Sequence, residues 1–577
     1  MHRFREIVAL DFEFCALAGE RQRPICVVAH ELKSRRRFRL MADELGPTPP
    51  FAAGPDVLTV AYYASAEIGC YLALGWQVPP NIIDLFVEFR WLTNGLRTHG
   101  HGLLAALTYF GLGHSAAAEK KELQQALGAG DWQGRYTADE VLDYCEADVF
   151  SLDQLVIRMA SRIDLPRALL RGRYMAAAAA MEWNGVPIDT ATLGRLRGAW
   201  DPIRLRLIEE VDRDFGVYDG GTFKEKRFAD WLDGRGIPWP KLDSGKLDLK
   251  AATFRDQAKA HLAVAPLQEL RATLAELRLN DLAVGHDGRN RCLLSPFRAK
   301  TSRNQPSNSK FIFGPATWIR GLIKPPPGYG VAYIDWRAAE FAIAAVLSGD
   351  GEMVAAYTSG DPYLAFAKQA GAVPPDATKA THAQVRNVYK TVVLGVQYGM
   401  GYGALAARIG APSIVGRDLL AAHRRVYRRF WQWSDGVVNT AVLERRLFTM
   451  FGWQLLTDPE PNPRSLANWP MQSGCAEIMR LACCLGIERG VEICAPVHDA
   501  VLICAPLDRL AEDIATMRAA MAEASQIALG GFELDSDVAI TRWPDRYMDP
   551  RGEVMWARVM KILSEEEETC ARPILVA

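Results

Sequence analysis

What the chain lacks narrows it first. Its 11 cysteines are odd in number, scattered, and form no C-x-x-C pair. That argues against a disulfide framework or a zinc site and for a reducing compartment. A charge excess is missing too: 67 Lys and Arg face 68 Asp and Glu, a formal net charge of -1. A nucleic-acid partner would therefore need a local basic groove, balanced by acids elsewhere. No apolar run approaches the roughly 18 residues of a membrane span, and Arg3, Arg5 and Glu6 interrupt any leader-like opening. No internal repeat or long low-complexity segment stands out. What remains is the composition of a globular enzyme, 49% apolar and 23% charged. At 577 residues it exceeds one core, so two or more domains are expected.

Three stretches carry chemistry. Gly330–Asp350 reads as a β-forming run (Val331, Tyr333, Ile334), one acid, Asp335, and then a helix closed by Gly349. An acid ending an apolar strand is costly unless paired, and a divalent metal is a common partner. Ile493–Pro506 reads as a β-hairpin with His498 and Asp499 at its turn. As neighbours in one sheet, Asp335 and Asp499 would repel without cations; two Mg²⁺ about 3.5–4 Å apart would make a phosphoryl-transfer site. Between them, Arg386, Lys390 and Leu394 fall at i, i+4 and i+8 of a helix. Alone, this stripe fits a solvated basic face as readily as a triphosphate site.

In this order the three stretches resemble motifs A, B and C of family A DNA polymerases, the family of bacterial DNA polymerase I. Asp335 and Glu340 match motif A. Arg386, Lys390, Gly395, Tyr398 and Gly399 match R-x-x-x-K-x-x-x-x-G-x-x-Y-G of motif B, and His498-Asp499 matches motif C. Asn468 and Gln472 match the N-x-P-M-Q segment, and Arg464 falls where the family carries an arginine. Met181 to Asp189 resembles the M-E-x-x-G-x-x-x-D opening of the polymerase domain, and Thr301-Ser302-Arg303 its T-x-R segment. Two positions depart from the family: Leu394 replaces an aromatic ring, and Ala500 replaces the glutamate after His-Asp.

The first 160 or so residues form another unit. The strand Ile7–Leu10 ends in Asp11-Phe12-Glu13, which puts both acids on one face. Thr137 and Glu140 read as a capping box, and Tyr144 and Asp148 share one helical face. These residues resemble the D-x-E and Y-x-x-x-D motifs of the DEDDy 3′–5′ exonuclease of the same family. At the position of the remaining acid the chain has Glu67, with Asp84 as fallback ligand.

The resemblance implies an α/β and α+β multidomain chain. A ribonuclease H-like exonuclease domain (1–165) precedes a right-hand polymerase domain (166–577), with thumb about 190–300, palm about 301–350 and 455–577, and fingers about 351–454. Helices are expected over Leu193–Phe215, Thr222–Leu232 and Leu262–Leu282, with a loop over Trp239–Asp248. Arg424–Trp433 reads either as a strand-binding surface or as one amphipathic helix with core aromatics.

The implied activity is primer extension with dNTPs by two-metal transfer, with 3′–5′ proofreading. By resemblance, Asp335 and Asp499 hold two Mg²⁺, with Mn²⁺ as substitute. Asp11, Glu13 and Asp148, with Glu67, hold two more beside Tyr144. Arg386 and Lys390 meet the triphosphate, Tyr398 stacks near the templating base, and Glu340 excludes a 2′-hydroxyl. Arg303, Arg464, Asn468 and Gln472 meet the primer–template. Expected partners are primer–template DNA and dNTPs, without a membrane, for a cytoplasmic monomer whose processivity factor is left open. The lack of a 5′ nuclease segment suggests phage or plasmid origin. The alternative is a DNA-binding nuclease or repair protein with weak or absent polymerase activity.

Overall fold

The computed structural model describes residues 3–113, 117–242, 244–276, 279–314 and 316–571. The N-terminal unit is built on five strands, β1 (Glu6–Cys15), β2 (Arg23–Glu31), β3 (Arg37–Met41), β4 (Val57–Ala61) and β5 (Ile82–Asp84). Their order is β3-β2-β1-β4-β5; β1–β2 and β2–β3 are antiparallel, β1–β4 and β4–β5 parallel. Alternation along β1 serves two cores. Val8, Leu10 and Phe12 join one buried cluster, and Ile7 and Ala9 the other. Asp11 and Glu13 continue the Ile7/Ala9 face, where the helix Ala138–Met159 lies. That helix begins as expected: Thr137 Oγ1 accepts from Glu140 N, and the Glu140 carboxylate accepts from Thr137 N at 2.7 Å.

The second sheet is antiparallel throughout, in the order Ile493–Val497, Ala500–Pro506, Tyr329–Trp336, Ser536–Arg542. Ala332 and Ile334 are completely buried on one face, whereas Tyr333 and Asp335 alternate onto the opposite, half-exposed face, which Val331 begins as a buried residue. The long helix Pro463–Glu488, capped by Asn462, and the helix Leu510–Ala528 pack against each other and cover the buried side. Ala339–Ser348 follows the Asp335 strand and ends at Gly349 with φ +62°, the left-handed closure that glycine supplies without strain.

One helix belongs to both halves. Leu165–Asn184, capped by Asp164, packs on the helix Ala64–Leu74 and β5 on one side and on Pro463–Glu488 and Ile493–Val497 on another. Gly172 makes this approach feasible, because a Cβ there would sit 2.0 Å from the Ile82 carbonyl oxygen.

Three expected helices differ. Leu193–Phe215 is two helices, Thr190–Gly198 and Trp200–Asp212, broken at Ala199. Pro202 has no N–H and clashes with the preceding turn, so it fits the first turn of a new helix but not the middle of a long one. Thr222–Leu232 opens as a short hairpin, Tyr218–Asp219 with Thr222–Phe223, before Glu225–Gly234 turns helical. Leu262–Leu282 holds the helix Ala265–Glu276; residues 277–278 lie outside the described residues, as does residue 243 of the expected loop. Arg424–Trp433 is also broken, at Tyr427, into Ser413–Val426 and Arg428–Glu444. Its aromatics go inward, with Tyr427 and Phe430 buried, while Arg424, Arg425, Arg428 and Arg429 stay exposed.

Candidate active sites

Two carboxylate centres emerge. In the C-terminal half, Asp335 occupies the end of the central strand Tyr329–Trp336, level with Ala500 on one neighbour and Asp537 on the other. His498 and Asp499 form the two-residue turn between Val497 and Ala500, with His498 at φ +57°. The turn is tied down where Trp336 N donates to the Asp499 carbonyl at 3.1 Å. Burial first, then the Asp499 and Asp537 charges, push the Asp335 carboxyl up to about 7. Asp499 is raised as well, chiefly by burial. Asp335 Oδ1 is buried without a hydrogen-bond partner. An orphaned carboxylate oxygen beside a second carboxylate suits a divalent cation, which would relieve both the desolvation and the repulsion.

Around this pair the expected residues assemble. Glu340 accepts from Arg303 Nη2 and from the Tyr398 hydroxyl, both at 2.6 Å. One carboxylate thereby joins the motif-A helix, the end of the helix Ala383–Gln397 and the T-x-R segment. Along that helix Lys390, Leu394 and Tyr398 form an exposed stripe, with Arg386 half-buried at its head. Arg464, Asn468 and Gln472, from Pro463–Glu488, line a cleft of about 500 Å³ with Tyr398, Lys300 and Thr301. Gly399, at φ +70°, packs on the Arg464 stem, where a Cβ would meet Cγ at 2.9 Å. His498 lines a neighbouring cleft of about 340 Å³ with Arg303.

The N-terminal centre is built on β1. Ligand atoms of Asp11, Glu13 and Cys145 all lie within 4.8 Å of one another. Cys145 Sγ stands 3.6 Å from Asp11 Oδ2 and donates to the Asp11 carbonyl at 3.3 Å. Glu67, in the first turn of Ala64–Leu74, is buried and accepts from Phe12 N at 2.8 Å. Burial above all, then Asp11, raises its carboxyl well above the usual range. Burial and then the charges of Glu13, Asp148 and Asp11 hold the Tyr144 hydroxyl protonated. The five residues expected here are therefore electrostatic neighbours. The carboxylates of Asp11, Glu13 and Glu67 crowd one another, an arrangement that divalent metal would stabilise.

Asp84 is different. Its carboxylate accepts from four backbone N–H groups, Tyr63 at 3.1 Å, Ala64 at 2.7 Å, Phe86 at 2.8 Å and Val87 at 3.2 Å. It caps two helix starts, so the fallback reading of Asp84 as a ligand gives way to a structural one. Sequence reasoning missed three neighbours of the centres: Asp537, ion-paired to Arg337 at 2.6 Å, Cys145, and Asp361, which pairs with Arg386. Only Cys145 had a signal, its place next to Tyr144.

The mixed α/β chain carries two separated carboxylate centres, the second beside a cationic helix, an arrangement that suits divalent metal and an anionic ligand. Comparison with known proteins makes this specific. Residues 314–542 match the family model described as DNA polymerase family A. The DNA polymerase I of Chloroflexus aurantiacus is 22% identical over 502 residues, covering 80% of this chain and 52% of that protein. The thermostable DNA polymerase I of Thermus thermophilus is 26% identical over 376 residues (60% and 45% covered), and the DNA polymerase of Mycobacterium phage D29 25% over 327 (53% and 51%). The chain thus spans about half the length of the curated relatives it matches. The POL domain of Pol1 from M. smegmatis, solved in complex with DNA primer-template and dNTP, shares the fold with a TM-score of 0.71, at 17% identity over 93% of this chain and 95% of that one. Over residues 314–542 the chain is thus similar to DNA polymerase family A. No helix among the described residues is long and apolar enough to cross a membrane.

Proposed function

We propose that the chain is a DNA-directed DNA polymerase that extends a primer 3′ end with dNTPs, and that its first 165 residues are a ribonuclease H-like 3′–5′ exonuclease. The observation that carries the first part is the Asp335–Asp499 pair with its unsatisfied buried oxygen, set in a sheet that the family model covers. Asp335 and Asp499 would hold the divalent ions, Mg²⁺ or Mn²⁺, which when bound activate the primer 3′-hydroxyl and neutralise the leaving pyrophosphate. Arg386 and Lys390 bind the triphosphate and meet the charge that grows as the bond breaks. Glu340, held by Arg303 and Tyr398, is a fixed wall beside the sugar. Arg464, Asn468 and Gln472 read the minor-groove face of the primer–template, where acceptors common to all base pairs report pairing rather than sequence. The structural neighbour's primer-template and dNTP support the same partners for this chain.

The exonuclease reading rests on the strand order β3-β2-β1-β4-β5 and on the carboxylates gathered at the end of β1. Asp11, Glu13, Glu67 and Asp148 would hold its metals, and Tyr144 would orient the attacking water. The second domain spans 166–577, with thumb about 190–300, palm about 301–350 and 455–577, and fingers about 351–454. Extension of a primed single strand with Mg²⁺, with and without dNTPs, tests both parts. Asp335→Ala that still extends sinks the first, and Asp11→Ala that still shortens sinks the second.

A further inference from the structure

The first 165 residues hold four cysteines, Cys15, Cys26, Cys70 and Cys145, all of them buried. Three border the N-terminal carboxylates. Cys26 on β2 is the cross-strand partner of Glu13, so the two side chains leave the same face of the sheet. Burial and then the charges of Glu67, Asp11 and Glu13 raise the Cys70 thiol, which places it beside the same acids. Cys145 comes closest, from the helix Ala138–Met159 that covers this face. Its Sγ lies within 4.8 Å of ligand oxygens of both Asp11 and Glu13, and 3.6 Å from Asp11 Oδ2. A tetrahedral ion with a metal–sulfur bond of about 2.3 Å and a metal–oxygen bond of about 2.1 Å holds those two ligands about 3.6 Å apart. Sulfur and oxygen thus already have the spacing of two ligands on one ion. Such a mixed set is not neutral towards metals. Mg²⁺ and Ca²⁺ take oxygen, whereas thiolate selects softer ions such as Zn²⁺.

We propose that Cys145 is a thiolate ligand of the N-terminal centre, and that Asp11, Glu13 and Cys145 together take a thiophilic divalent ion of the Zn²⁺ class in preference to Mg²⁺. On ligation the Cys145 S–H bond breaks, its proton passes to solvent, and the sulfur shares the electron pair with the ion; nothing is oxidised or reduced. The inference takes Asp11 and Glu13 as metal ligands and so rests on the exonuclease reading. It adds a sulfur at a position that the D-x-E and Y-x-x-x-D motifs leave open.

The test is a titration of the full chain with Cd²⁺, followed by the ultraviolet sulfur-to-metal charge-transfer band, which carboxylates cannot produce. Wild type is expected to show one band that saturates near one equivalent. Zn²⁺ should displace it at comparable concentration, and Mg²⁺ only at roughly a hundredfold excess or more. Cys145→Ser should abolish the band and weaken Cd²⁺ binding about a hundredfold, at least the loss that an outer-shell partner causes. Cys26→Ser and Cys70→Ser should keep it. Asp11→Asn leaves the thiol in place and should weaken Cd²⁺ binding about tenfold. This second variant decides the matter even where Cys145→Ser fails to fold. No band in wild type overturns the proposal, as does a band that survives Cys145→Ser. So does unchanged Cd²⁺ affinity in Asp11→Asn, which puts the bound sulfur outside this centre, and so does displacement by equimolar Mg²⁺. Shortening of a single strand with Mg²⁺ judges the exonuclease reading separately. A chain that shows the band without shortening DNA sinks that reading and keeps the thiolate. One that shortens DNA without the band sinks the thiolate alone.

Discussion

The two carboxylate centres solve one electrostatic problem in different ways. At the N-terminal centre Glu67 is buried against Asp11 and Glu13, and burial dominates its raised pKa. At the C-terminal centre Asp335 lies next to Asp499 and Asp537, but Arg303 is bound to Glu340 and Arg386 and Lys390 flank Tyr363. The carboxylates of the first centre are crowded chiefly by burial and by one another, whereas those of the second have protein cations close by.

Breaking the carboxylate pair of the second centre should separate the two most sharply. Asp335→Ala or Asp499→Ala is expected to slow extension on the order of a thousandfold while 3′ shortening persists, read on one gel with and without dNTPs. Next, Asp11→Ala or Asp148→Ala should slow shortening on the order of a hundredfold and leave extension intact. Glu67→Gln belongs with them: shortening at the wild-type rate would remove Glu67 from that centre.

A smaller effect separates the acid that builds the first centre from those that act in it. Asp84→Ala should cost about 2–4 kcal/mol of stability by uncapping two helix starts, visible in denaturant unfolding. The primer-extension rate of the folded fraction should not change.

The subtlest expectation concerns pH. The Asp335 carboxyl, raised to about 7 in the fold, would titrate near 4 unfolded. Between those values the folded chain holds a proton that the unfolded chain has released, so its contribution to stability declines as pH rises from about 4 to about 7 and is flat above. In EDTA, Asp335→Asn should therefore melt higher than wild type at pH 8, with the gap closing towards pH 4. Mg²⁺ should shrink the gap at pH 8. A gap independent of pH would remove the burial argument for this site.

Much of this was legible in sequence because the decisive signals are local. The strand–acid–helix order around Asp335, the Thr137 capping box and the His498-Asp499 turn lie within a few residues each, and the fold bears them out. The pairing of Asp335 with Asp537 was not legible, since it depends on the register of a strand 200 residues away. Nor could sequence rank Glu67 against Asp84. Both are acids at a helix start after a strand, and only the four amides converging on Asp84 tell them apart. The break at Ala199 was legible in Pro202, yet the charged periodicity of Leu193–Phe215 hid it.

The helix Leu165–Asn184 makes the two centres a single mechanical object. It is a shared beam, with Gly172 pressed to β5 and Tyr174 buried where its hydroxyl accepts from Asn304 at 2.7 Å. Cutting the chain at residue 165 would strip one side of the beam bare and leave a wet, apolar flank on the remaining half. The same helix also packs on the strand that leads into Asp499. The two centres are better pictured as two ends of one packed body than as two modules joined by a tether.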